Sequence, residues 1–330
     1  MRVRHPAPPI EFCLEDRGLP IFPPKVQADS ALNFWRLTPS MFVIRSLHAT
    51  TALAGRARFV QKSERTLMKQ AFPRILLLSL VLATLAIPRA LAQGSTAWHP
   101  AMNTSWQWQL SSVPSSSKLL NVGMYDVDGF DASASLITAM HNKGIKAVCY
   151  IDAGTWENWR SDAGKFPSYV KGKSNGWPGE KWLDIRQINV LAPIMTARFQ
   201  MCANKGFDAV EPDNIDGYSN RTGFSLSSSD QIAYNKWIAD TVHSLGMTVA
   251  LKNDVEQVKA LVSSFDFTIN EECFAYSECS TLQPFLAAGK AVFEVEYSLS
   301  PSRFCPKANS MNFNSMLKDE DLTAYRVACR

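Results

Sequence analysis

The 330-residue sequence predicts an α/β protein: a single (β/α)8 barrel over residues 93–330, behind a signal peptide at 68–92 and a non-structural extension at 1–67. Three observations predict it. Strand-like and helix-like runs alternate from Ala97 onward. Nearly every strand-like run ends in acids or amides, and barrel sites gather at strand C-termini. No glycine-rich phosphate turn follows the first strand, which disfavours a doubly wound sheet.

The chain opens without a sustained period of 2 or 3.6 residues, and prolines and arginines are scattered through it up to about Gln61. This stretch is expected to be disordered or a start-site misassignment. Met68 begins a different pattern: Lys69 and Arg74, the apolar run Ile75–Ile87, then small residues at Ala90 and Ala92. That order is a secretory signal peptide. The run is shorter than the roughly 20 residues a membrane-spanning helix needs. The expectation is a secreted, extracellular protein without stable membrane insertion; an uncleaved membrane anchor is the alternative. Removing residues 1–92 takes away 13 Lys and Arg against 5 Asp and Glu. The remaining 21 basic and 25 acidic residues give a net charge of −4. A mildly acidic chain argues against nucleic acid as a partner and favours a neutral or cationic one.

Six cysteines follow the leader, an even number in an exported chain, which reads as disulfides. If Tyr150 and Asp152 face the barrel interior, Cys149 faces the helices, where Cys202 can meet it. Cys273 and Cys279 would close a short loop, and Cys305 and Cys329 would tie the last loop to a C-terminal helix. No cysteine pair has C-x2-C spacing and no histidine pair accompanies them, so no metal and no cofactor are expected. Asn103 and Asn220 head glycosylation sequons.

Strands are expected at Trp106–Leu110, Asn121–Tyr125, Lys146–Ile151, Phe207–Glu211, Thr248–Lys252, Phe265–Asn270, Ala291–Glu296 and Asn312–Leu317. About seven helical stretches lie between them. The clearest are Ala132–Asn142, Val190–Asn204, Ser229–Ser244, Val255–Ser264 and Thr281–Ala288, most with a glycine just beyond. Any one polar cluster at a strand end reads equally well as a solvated turn or helix cap. Seven such clusters on seven strands read as a lined barrel mouth.

An acid-lined mouth on an exported barrel points to glycoside hydrolysis, which needs one carboxyl group to protonate the leaving oxygen and a second to attack or stabilise the anomeric centre. Asp213 and Glu271 suit these tasks, each beside an amide. Asp126, Asp128, Tyr150, Asp152, Asn214, Asp216, Tyr218, Lys252, Asn253, Glu296 and Tyr297 are the substrate-binding candidates from the other strand ends. The surplus of carboxylates suits a polymer carrying free amines. Trp156, with Trp159 and Trp177, offers ring faces for pyranose stacking, whereas Trp108 and Trp237 read as packing. No Gly-x-Ser-x-Gly elbow occurs, and His141 and His243 fall on helix ends away from the mouth, so a Ser–His triad is disfavoured.

The run GFDAVEPDNIDGY at Gly206–Tyr218 resembles the signature of glycoside hydrolase family 114, the endo-α-1,4-polygalactosaminidases. Also similar are WQWQL at Trp106–Leu110, YDVDGFD at Tyr125–Asp131, CYIDAG at Cys149–Gly154, WLDIR at Trp182–Arg186, LKND at Leu251–Asp254, NEEC at Asn270–Cys273 and AGKAVF at Ala288–Phe293. The resemblance spans roughly Trp98 to Cys329. It implies a TIM-like barrel that cleaves α-1,4-linked galactosamine inside an extracellular, galactosaminogalactan-like polysaccharide, acting as a monomer. It implies Asp213 and Glu271 as the catalytic pair; analogy with other α-glycosidase barrels makes Asp213 the nucleophile and Glu271 the acid/base, with retention. Period-2 alternation lets only one of Glu271 and Glu272 enter the mouth. The rivals are a non-catalytic polysaccharide-binding barrel and a hydrolase of another amino-sugar polymer.

If the leader is read correctly, N-terminal sequencing of the exported protein starts at Gln93. Recovery of residues 1–67 on that protein would refute the start-site reading.

Overall fold

The computed structural model describes residues 97–330. The expected extension and signal peptide lie outside the described residues. Eleven strands and six α-helices follow in order: β1 (Trp106–Gln109), β2 (Met124–Asp128), α1 (Ala134–Asn142), β3 (Lys146–Asp152), β4 (Thr155–Glu157), β5 (Glu180–Trp182), α2 (Ile188–Lys205), β6 (Ala209–Asp213), α3 (Ser228–Ser244), β7 (Thr248–Lys252), α4 (Val258–Leu261), β8 (Phe267–Glu271), α5 (Gln283–Ala287), β9 (Val292–Glu296), α6 (Pro301–Ser310), β10 (Asn314–Leu317) and β11 (Val327–Ala328). Eight strands run parallel in the order β1-β2-β3-β6-β7-β8-β9-β10, with β11 antiparallel on β10. This is the curled sheet of a TIM-type barrel.

Alternation along the strands sorts side chains into two cores. Trp106, Trp108, Met124, Val148, Ala209, Ala250, Phe267, Ile269, Phe293, Val295 and Met316 fill the lumen. Tyr125, Val127, Cys149, Ile151, Val210, Val249, Leu251 and Val292 face the helices. Trp106 and Phe293 pack edge to face inside the lumen with ring centroids 5.1 Å apart. Among the described residues no backbone ladder joins β1 to β10. Side chains and the C-terminal strap close that seam. The Trp106 indole donates to Asn314 O at 2.8 Å, and Leu110 N donates to Leu322 O at 3.0 Å. The fully buried Lys318 pins the strap by donating to Thr323 O and Tyr325 O, each at 2.6 Å.

Helix starts and stops follow local chemistry. Ser133 caps α1 by accepting from Leu136 N. Ser227 and Asp230 form a capping box on α3, two residues earlier than the expected start. Gly206 ends α2 in the left-handed region at φ 88°. The expected helix 255–264 contracts to a 3-10 turn followed by the one-turn α4, because Asn253 and Asp254 both take positive φ just before it. Only a 3-10 turn at Ser116–Lys118 separates β1 from β2. The β4–β5 hairpin, with Thr155 opposite Trp182, was not expected.

Three disulfides form as paired above: Cys149–Cys202, Cys273–Cys279 and Cys305–Cys329. The last differs in setting. Cys305 lies within α6 and Cys329 just past β11, so the bridge ties a helix to a strand end and not to a C-terminal helix. No helix among the described residues is long and apolar enough to cross a membrane.

His141 and His243, expected on helix ends away from the mouth, anchor the floor of the barrel in the same way. Asp208, just before β6, accepts from His141 at the end of α1, from Lys146 and from Ala147 N. Asp266, just before β8, accepts from His243 at the end of α3 at 2.8 Å and from Val249 N at 2.9 Å. Its hydrogen bond raises the His243 pKa above the usual value; burial pushes Asp266 up, but His243 and Val249 N bring it below its usual value. A raised histidine stabilises fully below its unfolded value and loses that contribution as pH rises through the folded one; a lowered aspartate stabilises above its unfolded value and loses it on acidification. The pair therefore contributes most between about pH 4 and 6.5. The melting temperature of His243→Gln should fall short of the parent most at pH 5–6, and the gap should narrow by pH 9. A gap that widens with pH would contradict the pairing.

Candidate active site

Three neighbouring strands deliver the central residues. β6 ends in Glu211-Pro212-Asp213, β7 in Lys252 and β8 in Glu271. Alternation aims all four charged side chains inward, above the lumen residues Ala209, Ala250 and Ile269. Lys252 Nζ lies 2.7 Å from Asp213 Oδ1, 2.8 Å from Glu271 Oε2 and 3.8 Å from Glu211 Oε1. It also stands 5.0 Å from the ring centroid of Trp108. Burial pushes this ammonium down, but Asp213, Glu271 and Glu211 together hold its pKa well above the usual lysine value.

Asp213 is the best-solvated anion of the group in hydrogen-bonding terms. Besides Lys252 it accepts from the Tyr150 hydroxyl at 2.7 Å and from Asn214 N at 2.8 Å. Burial pushes its carboxyl up, and these donors, led by Lys252, overcome that and bring it below the usual aspartate range. Glu271 accepts from the Tyr297 hydroxyl and, at 3.0 Å, from Asn253 Nδ2. Asn253 Oδ1 accepts in turn from Glu271 N at 3.0 Å, so one amide grips both the backbone and the carboxylate. Burial, then the adjacent carboxylates, hold both Tyr150 and Tyr297 well above the usual tyrosine value, so both remain donors. Side-chain exposure is 17% for Asp213 and 25% for Glu271. Both are reachable from the mouth.

The backbone turns sharply just after each of these strands. Asn214, Asn253, Asp254 and Glu272 all have φ between 46° and 58°. Asn and Asp tolerate this region; Glu272 does so at a cost of about 1–2 kcal/mol. That turn separates the two glutamates. Glu271 enters the site, while Glu272 leaves it, its amide donating to Val295 O and its carboxyl near Glu296 and Glu320. Gly154 lets the segment after β3 pass directly against this ring: a Cβ there would sit 1.6 Å from Asn214 O.

The structure gathers Asp213, Glu271, Lys252, Tyr150, Tyr297, Asn214 and Asn253 into one cluster, with half-buried Asp216 and Tyr218 on the adjoining loop. Burial, then the Asp213 charge, raises Asp216 to about 6. Asp152 stands behind the cluster, fully occupied by Thr155 and by Asn214 Nδ2 at 3.1 Å, so it orients Asn214 and does not face the mouth. Beyond Asp152, four more expectations need correction. Asp126 is fully buried beneath the site. Asp128 is taken up by a two-point ion pair with Arg160 at 2.7 and 3.0 Å and by the turn amides of Phe130 and Asp131. Glu296 falls on the helix-facing side of β9, where it accepts from Phe274 N and Ala275 N; the next residue, Tyr297, is the one that reaches Glu271. Trp156 packs on the outer core, donates to Ala163 O and carries Lys171 over its ring.

Sequence reasoning passed over Glu211, although its i, i+2 relation to Asp213 places both on one face. It also missed Glu180 and Thr155 of the hairpin. Thr155 links Asp152 to Glu180. Asp152, Glu157 and Glu180 have ligand atoms within 4.8 Å of one another. Glu157, however, is already paired with Arg160 at 2.6 Å and faces Arg198 at 3.6 Å, a poor setting for a cation.

Comparison with known proteins gives the family and the fold. The profile of glycoside-hydrolase family GH114 matches residues 88–330. No curated protein matches the chain. Among solved structures, the Aspergillus fumigatus Ega3 complex with galactosamine is 34% identical, with a TM-score of 0.67, covering 71% of this chain and 98% of that one. The glycoside hydrolase domain of PelA from Pseudomonas aeruginosa is 11% identical with a TM-score of 0.55, covering 68% of this chain and 98% of that one, and speaks for the fold alone. A barrel whose strand ends bring two carboxylates onto one lysine, matched by the family profile from residue 88 to the C-terminus, is a glycoside hydrolase: the chain belongs to family GH114.

Proposed function

We propose that this protein is a secreted, endo-acting hydrolase of α-1,4-linked galactosamine polymer, working with retention through Asp213 and Glu271. The observation that carries the reading is the single ammonium held between the two carboxylates. The two oxygens that share Lys252 Nζ, at 2.7 and 2.8 Å, stand no farther apart than the roughly 5–5.5 Å carboxyl separation of retaining enzymes. Similarity to Ega3, whose complex contains galactosamine, supports the substrate class.

The roles follow from the surroundings. Asp213 is kept anionic by Lys252, Tyr150 and the Asn214 amide, which suits a nucleophile. Its oxygen attacks the anomeric carbon as the glycosidic bond breaks, and Glu271, which must enter this step protonated, delivers that proton to the departing oxygen. In the second half Glu271 takes a proton from water, which attacks the same carbon and expels Asp213. Two inversions restore the original configuration. The leader at 68–92 would place this activity outside the cell, where such polymer occurs.

Two outcomes test the reading. Asp213→Asn and Glu271→Gln should each lose at least roughly 10²-fold in kcat on deacetylated galactosaminogalactan, keep their melting temperatures within a few degrees, and the parent should release the α-anomer first by NMR. A near-normal Glu271→Gln beside an inactive Glu272→Gln would show that the wrong glutamate had been chosen. Lys252→Met removes the charge that holds Asp213 ionised. Its kcat/KM should drop on the order of 10²-fold, and the acid limb of its pH profile should move to higher pH, because the Asp213 carboxyl rises once its ammonium is gone. An unshifted acid limb would mean that Lys252 does not set the ionisation of Asp213.

A further inference from the structure

Two carboxyl groups that the proposed reaction does not use lie directly beneath it. Glu211 precedes Asp213 by two residues on β6, and Asp126 reaches it from β2; both are fully buried. Their carboxyls are within hydrogen-bonding reach of each other. As ionised carboxylates, which can only accept, none of the four oxygens has a hydrogen-bond donor among the described residues. The cation facing them is Lys252 on β7, 3.8 Å from Glu211 and already engaged with Asp213 and Glu271. The other groups around them are Asp213 on β6, Glu271 on β8, Tyr297 just past β9 and Tyr150, opposite Glu211 on β3; β1 contributes the uncharged Trp108. Glu294 and Glu296 of β9 face the helix layer.

Four ionised carboxylates around one ammonium, two of them fully buried, would leave a large uncompensated charge, and a buried carboxyl escapes that by keeping its proton. A protonated pair also satisfies itself, one O–H donating to its neighbour. Resting on the site reading above, we infer that Asp126 and Glu211 are a protonated positioning pair, whose neutrality leaves the charge of Lys252 committed to Asp213 and Glu271. Burial, then the Glu211 carboxyl, holds Asp126 well above the usual aspartate value, and burial raises Glu211 to about 8 against the pull of Lys252. When the pair loses a proton, Glu211 competes for the remaining N–H of Lys252 and weakens its hold on the nucleophile.

Infrared difference spectroscopy on the secreted protein reads the proton directly. The parent should show a buried protonated-carboxyl C=O band that weakens as pH rises through about 8, where Glu211 ionises, and the double variant Asp126→Asn/Glu211→Gln should lack the pair's contribution to it. Kinetics supply a second reading. Asp126→Asn alone places an amide donor against Glu211 and holds it ionised; kcat should fall at least roughly 10-fold while KM changes less than about 3-fold. The double amide restores an uncharged, hydrogen-bonded pair and should recover most of that loss. A parent without the band, or an Asp126→Asn enzyme no slower than the double amide, overturns the pair. A band present in a protein that cleaves no amino-sugar polymer upholds the pair and sinks the hydrolase reading instead, so the two failures are distinguishable.

Discussion

Lys252 is the residue on which the arrangement of this site depends. Its side chain is 3% exposed, and an ammonium so buried persists only because carboxylates surround it. It is held from three sides: by Asp213 and Glu271 at hydrogen-bond distance, by the slightly more distant Glu211, and by the face of Trp108. The reciprocal effect is as important. Two carboxyl groups this close would repel if both were ionised without a cation between them. The shared ammonium lets both approach, keeps Asp213 anionic, and fixes the direction in which each carboxylate points. Tyr150, Tyr297 and Asn253 complete the remaining acceptor positions, so both carboxyl groups are oriented before any substrate arrives.

The two ends of the barrel spend their polar groups differently. At the floor, Asp208 and Asp266 each tie the end of a helix to the starts of neighbouring strands, one pattern used twice. These contacts bear on stability. At the mouth, strand ends pass into left-handed turns at Asn214, Asn253, Asp254 and Glu272. Such conformations are unfavourable for side chains other than glycine, and here they accompany the residues that hold the two carboxylates. The turns redirect the chain immediately after Asp213, Lys252 and Glu271 and leave Asn214 and Asn253 bonding the two carboxylates. Gly154 permits the neighbouring loop to support Asn214 at close range.

Closure of the barrel is partly a side-chain matter. The strap after β10 is fastened by Lys318, by Leu322 O, and by the Cys305–Cys329 bridge. Parallel strands β1 and β10 therefore meet across packed indoles and a pinned C-terminal segment. Asp213 and Glu271 lie on β6 and β8, in the middle of the strand order and not on the two strands of the seam.

Much of this was legible in the sequence because it rests on local periodicity. Alternating strand and helix runs, glycines after helices, and acids at strand ends follow from the geometry of a few consecutive residues. Period-2 alternation set Cys149 against the helices once Tyr150 was taken to face the interior, and allowed only one of Glu271 and Glu272 inside. The same rule, applied to β9 and β6, would have removed Glu296 and drawn attention to Glu211. What no local pattern carries is distance between strands. That Lys252 bridges two acids, that Asp128 is claimed by Arg160 from a loop 32 residues on, that Lys171 covers Trp156, and that Asp126 lies below the cleft instead of lining it all depend on how the sheet curls. Sequence by itself determined which residue types stand at the strand ends and toward which face. The tertiary structure decided which of those charges meet, because the energy of a buried charge is set by partners that are close in space and far apart along the chain.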